Sequence, residues 1–266
     1  MRHHNLSAYI ASFVFGATLS LTRRTDIVSK LVIFTTLIFI FYGIFKAMPV
    51  HELGNAAITS NHLLWYFAFT EIIVTSVQGN ERELGRTVSE GQLTTLMQRP
   101  GSMMGLLLAR VAGIVSMNMV VLFAYGITLM FFVTGELPPV QTNYIPLLVV
   151  SILLGASIFM LMGYAIGAFE ILGPYSRPIN WIINKLIFTF GGLFFPVIFF
   201  PKWLQQLVAL TPCPSVIFAP GSFMLETEFS YQLWAVGQQI IWLGIMFMIA
   251  RMSQNRMFNY VLVKGD

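Results

Sequence analysis

Residues 80–104, NERELGRTVSEGQLTTLMQRPGSMM, form a polar island in an otherwise oily chain. The island holds six charged residues, Arg82, Arg86 and Arg99 alternating with Glu81, Glu83 and Glu90. Between them Leu84, Val88, Leu93, Leu96 and Met97 recur at roughly helical spacing, the pattern of an amphipathic surface helix. Pro100 and Gly101 then stop it. A two-sided helix held between long apolar runs cannot lie in the bilayer core. It therefore belongs on one membrane face, where another protein can touch it, and residues 80–102 read as a docking handle.

Working outward, the chain has 266 residues, of which 56% are hydrophobic and 10% charged, with a mean hydropathy of +0.76. Those values exclude a soluble domain and define a polytopic membrane protein. The net charge of +4 comes from basic residues scattered singly beside apolar runs. That distribution anchors spans to a cytoplasmic surface and does not suit nucleic acid. The single cysteine, Cys213, excludes an intramolecular disulfide and any CxxC motif. The first twenty residues lack the pattern of a cleavable signal peptide, so insertion is expected to use the first true span.

In chain order, residues 1–22 place Leu6, Ile10, Phe13, Val14, Ala17 and Leu21 at spacings of three and four, which suits a helix at the membrane interface. Apolar runs then follow at 31–48, 63–77, 106–133, 144–169, 181–200 and 233–250. The expectation is an all-α integral membrane protein with six transmembrane helices, forming one domain over 1–266. Residues 201–228 are different. Pro212, Pro214, Pro220 and Gly221 break an amphipathic segment repeatedly, and broken backbone is tolerated at membrane depth only where protein covers it. Short helices dipping into the outer surface between spans five and six fit that pattern. With both termini, the 80–102 region and the 170–180 loop on one side, every Lys and Arg except Lys46 and Lys202 lies there. By the positive-inside rule that side is the cytoplasm.

No GxxxxGK[ST] phosphate cradle and no GxSxG elbow occurs, so the chain is not expected to be an enzyme alone. His3, His4, His51 and His62 make no compact metal-ligand set. Glu71 is the most informative single residue, because a carboxylate within a span costs about 3 kcal/mol on insertion scales. It either lines a substrate path, with Trp65 and Phe69 beside it, or pairs with Arg110 or Lys185 to fix the second span. Arg110 and Lys185 themselves read as snorkelling anchors near the inner face. Gly155, Gly163, Gly167, Gly191 and Gly192 allow close helix approach.

The run 88–108, VSEGQLTTLMQRPGSMMGLLL, resembles the EG-x-L-x-x-L-x-x-RP element that follows the second span in ATP-binding-cassette exporter permeases of the second type. Glu90, Gly91, Leu93, Leu96, Arg99 and Pro100 match it, while Gln92 and Gln98 depart from it. The segment 194–225 and the tail near 258–265 also resemble that family. The resemblance implies the transmembrane half of an exporter, working as a dimer with an identical or homologous permease half. Two separate ATP-binding subunits would hold ATP and Mg, and this chain would hold no cofactor or metal. Residues 80–102 would be the coupling helix, with Leu93, Leu96 and Met97 as apolar contacts and Glu81, Glu90 and Arg99 at the polar rim. The cargo would be a hydrophobic, amphiphilic or lipid-linked compound, and the location a bacterial inner membrane whose lipids surround the spans. An ATP-independent carrier with Glu71 as an ion or proton relay is the competing reading, and a non-transporting membrane scaffold is a third.

Overall fold

The computed structural model describes residues 2–47, 51–53, 56–79, 83, 87, 101–172, 176–225 and 228–264, and within them the regular structure is helical apart from one short hairpin. α1 (Arg2–Thr22) and α2 (Arg24–Ala47) meet at Arg23. The connection between the apolar runs 31–48 and 63–77 contains that hairpin, β1 (His51–Leu53) antiparallel to β2 (Ala56–Ile58) with Glu52 opposite Ala57. Thr59 then caps α3 (Ser60–Val77) through a capping box in which His62 supplies the return bond.

α4 (Met103–Thr134) begins at Ser102, whose hydroxyl accepts the Gly105 amide at 3.1 Å. A 3-10 turn at Thr142–Tyr144 leads into α5 (Ile145–Leu172), followed by α6 (Ser176–Phe190). Next come α7 (Lys202–Ala209), α8 (Cys213–Val216), α9 (Phe218–Gly221) and the long α10 (Phe229–Lys264).

Among the described residues four helical segments are long and apolar enough to cross a membrane: Arg24–Ala47, Met103–Thr134, Thr142–Phe169 and Phe229–Asn259. α3 is diluted by Asn61, His62 and Glu71, and α6 has 15 residues, too few to span alone. The apolar run 181–200 is thus not one helix. It ends at Phe190 because Gly192 adopts φ +76°, a left-handed conformation that a side chain would strain, and Pro196 follows. The chain resumes as a 3-10 turn at Val197–Phe199. At the other extreme, α10 carries its helix through residues expected to be a simple tail.

α1 lies alongside the first half of α4, running in the same direction. Tyr9 meets Ser102, Gly16 meets Arg110, Ala17 meets Gly113, and Ser20 meets Asn118. Two glycines make this possible. A Cβ on Gly16 would overlap the Arg110 carbonyl, and one on Gly113 would overlap the Phe13 carbonyl. Small residues let backbones touch where lipid offers no hydrophobic drive between helices. α2 then continues along the second half of α4, with the Thr35 and Tyr125 hydroxyls 2.5 Å apart.

α3 is the central helix, its side chains buried from Leu63 to Val77. One core beside it is aromatic. Phe41 of α2 stacks on Phe67 at 4.0 Å and on Phe194 at 5.7 Å, while Phe45 meets Phe67 and Phe195 edge-on. The other core gathers Val77, Met103, Leu107, Phe159, Ala168, Ile187 and Met257 around the opposite end. Outside, α2 and α10 expose Val32, Phe39, Ile40, Ile240, Ile241 and Phe247. Such a surface would drive aggregation in water and is compatible with hydrocarbon.

Candidate functional site

The candidate coupling residues Glu90, Gly91, Leu93, Leu96, Met97, Arg99 and Pro100, with the rim residue Glu81, lie outside the described residues. What the structure describes is how the two ends of that stretch are rooted. At its start Glu83 is buried, 5% exposed. Its carboxylate lies 2.9 Å from Arg110 Nη2 on α4 and 3.8 Å from Arg23 Nη1 at the corner between α1 and α2. Thr87 donates to the Glu83 carbonyl at 2.8 Å, as one helical turn requires. The Arg110 guanidinium also stacks over Phe15 of α1, 4.9 Å from the ring centre.

At the far end the Ser102 amide donates to the Tyr9 hydroxyl at 2.9 Å. The Tyr9 ring packs so closely on this elbow that a Cβ on Gly105 would lie 2.7 Å from it. Both ends of the handle are therefore fastened to α1 and its corner. The root at Glu83 is a buried charge pair, whereas the root at Ser102 is an exposed hydrogen bond.

A second built region is the proline-broken segment. Tyr66 of α3 donates to the Gly192 carbonyl at 2.5 Å, and Thr70 donates to the Leu193 carbonyl at 3.4 Å. Gln239 of α10, fully buried, donates to the Ser151 and Ser215 carbonyls at 3.0 and 2.8 Å. Ser222 donates to Gln232 Oε1 at 3.2 Å, and Gln205 donates to the Ile198 and Phe200 carbonyls. Side chains thus satisfy backbone groups that the breaks leave open, the condition for irregular chain at membrane depth. Cys213 is buried among these segments.

Glu71, Trp65 and Phe69 are all inside this subunit, at 5%, 1% and 5% exposure. Trp65 and Phe69 pack at 6.4 Å, and Phe69 meets Phe123 of α4 edge-on at 5.3 Å. Thr75 donates to Glu71 Oε1 at 2.8 Å. No described cation lies within ion-pair distance of Glu71, although an electrostatic attraction reaches it from Lys185. Arg110, one of its two expected partners, is taken by Glu83 instead. Lys185 Nζ rests over the Trp181 and Phe188 rings at 5.8 and 5.6 Å. The Glu83–Arg110 pair escaped sequence reading, because a charge at the edge of an apolar run does not name its partner. The opposite charges of Glu83 and Arg110 beside the same predicted handle were the available signal.

A chain built from several apolar helices around a buried, polar-braced central helix is a multi-pass membrane protein. A family model described as "ABC-2 family transporter protein" matches residues 31–262. The chain belongs to that family, whose members are the permease components of transporters and generally not enzymes on their own. None of the curated proteins matches it.

Proposed function

We propose that this chain is the membrane half of an ATP-driven exporter. A separate ATP-binding subunit, holding ATP and Mg, grips the 80–102 stretch. Its closure moves two permease halves, identical or homologous, to pass a hydrophobic, amphiphilic or lipid-linked compound. The observation that carries this reading is the double rooting of the stretch, by Glu83 on Arg110 and Arg23 and by Ser102 on Tyr9. A solvated connecting loop needs no such bracing, whereas a lever must be stiff where it joins what it moves.

In this reading α3 and α6 complete six spans, α6 together with the broken chain that follows it. α1 sits at the inner interface, 201–228 is re-entrant at the outer face, and both termini are cytoplasmic in a bacterial inner membrane. An oily cargo would first meet exposed aromatics such as Trp181, Phe194 and Phe195. It would reach Glu71, Trp65 and Phe69 only if α3 parted from its neighbours. The test is co-purification with an ATPase. Leu93→Asp combined with Leu96→Asp should abolish both association and ATP-driven export; unchanged transport in that variant overturns the proposal.

A further inference from the structure

Below the corner that Arg23 shares with Glu83, one face of α2 bears a groove of about 450 Å³, lined by Arg24, Thr25, Val28, Ser29, Val32 and Ile33. These residues form two adjacent columns at helical i, i+4, i+8 spacing: Arg24, Val28 and Val32 in one, Thr25, Ser29 and Ile33 in the other. The groove itself is lined almost wholly by apolar surface, over about 14 Å of helix at 1.5 Å per residue, and the exposed Arg24 and Thr25 stand at its upper rim. Val28, Val32 and Ile33 are each more than half exposed.

The neighbouring charges are occupied. Lys30 pairs with Asp26 at 3.0 Å, and Arg23 pairs with Glu83. Arg24 forms no ion pair or hydrogen bond among the described residues, and neither does the Thr25 hydroxyl. Ser29 donates to the Asp26 carbonyl at 2.8 Å and so serves as a wall. An exposed guanidinium beside an exposed hydroxyl, neither of them bonded among the described residues, at the rim of a shallow apolar face, is complementary to an anionic head attached to an acyl chain.

We infer that this groove binds one anionic phospholipid, the phosphate on Arg24 and Thr25 and an acyl chain along Val28, Val32 and Ile33. Arg24 adjoins Arg23, so the lipid sits against the corner to which the coupling stretch is rooted. The site depends on α2 spanning the membrane, and its test uses no ATPase, so its failure is separable from failure of the exporter reading.

The full-length chain is placed in nanodiscs containing equal amounts of phosphatidylcholine and phosphatidylglycerol, released into detergent, and its retained lipid is counted by native mass spectrometry. The wild type should retain phosphatidylglycerol preferentially. Arg24→Ala should lower that preference about fivefold, Arg24→Lys should keep part of it, and Lys30→Ala, which removes the same charge from a paired site, should keep nearly all. Glycerol phosphate, which has the head without the chain, should not compete. Equal retention of the two lipids by the wild type, or an undiminished preference in Arg24→Ala, overturns the site. Equal losses in Arg24→Ala and Lys30→Ala also overturn it, as general surface charge. Competition by glycerol phosphate would replace the lipid with a soluble phosphate ligand and overturn it too.

Discussion

Glu83 Oε1 lies 2.9 Å from Arg110 Nη2, and the same carboxylate reaches Arg23 at 3.8 Å, so one acid joins the 80–102 stretch to two other elements. Glu83→Gln keeps the shape and removes the charge, leaving a mostly buried guanidinium without its counterion. The expected cost is about 1–3 kcal/mol, read as a lower unfolding midpoint of the purified protein. Adding Arg110→Met should recover part of that loss, because stripping both partners leaves no orphaned charge. Strict additivity of the two substitutions would show that the pair does not interact.

The contact of α1 with α4 depends on bare backbone at Gly16 and Gly113. Gly113→Val forces a branched side chain against the Phe13 carbonyl, and a shift of α1 should cost about 1–3 kcal/mol or more. A cysteine pair replacing Tyr9 and Ser102 in a background lacking Cys213 should be joined by a short bifunctional thiol reagent that spans the volume of the lost tyrosine ring, and adding Gly113→Val should slow that reaction. Equal cross-linking with and without the valine would contradict the seating of α1.

Cys213 is the only thiol in the chain and is buried where the broken segments meet. It should resist a maleimide in the native protein. Removing Gln239 with Gln239→Ala, or the Gly192 contact with Tyr66→Phe, should each loosen the segment by about 1–3 kcal/mol, the cost of stranding a buried polar group. Faster labelling of Cys213 is the readout. Labelling as slow as in the wild type for both variants would mean that these bonds do not hold the segment shut.

Glu71→Gln preserves an oxygen that can accept from Thr75, so the hydrogen bond survives without the charge. If Glu71 serves packing, export driven by ATP should continue at close to the wild-type rate and show no new pH dependence. Loss of transport with the ATPase still bound would assign the carboxylate to the translocation step.

The membrane class was legible because hydropathy is additive along the chain, and the breaks of 201–228 were legible because proline acts locally. The end of α6 at Phe190 was harder to see. Gly191 and Gly192 announce close approach as readily as a turn, and the left-handed φ of Gly192 with the Tyr66 bond to its carbonyl shows which they serve. The hairpin at His51–Leu53 and Ala56–Ile58 pairs backbone groups, which leave little mark on so short a polar stretch. The roots of the 80–102 stretch were hidden for another reason. Tyr9, Arg23 and Arg110 come from three distant parts of the chain, and no periodicity records which charge will meet which.

The parallel seating of α1 on α4 also sets an order of assembly during synthesis. Tyr9 must wait for Ser102, which is 93 residues further along. At about 5–20 residues per second the ribosome takes roughly 5–20 s to supply that partner. Throughout that interval α1 is an oily helix without its groove. Translation speed across α2, the hairpin and α3 thus governs how long the nascent N-terminus is exposed to misinsertion or capture by chaperones, and slowing codons there should lower the yield of folded protein more than the same codons placed after Thr134.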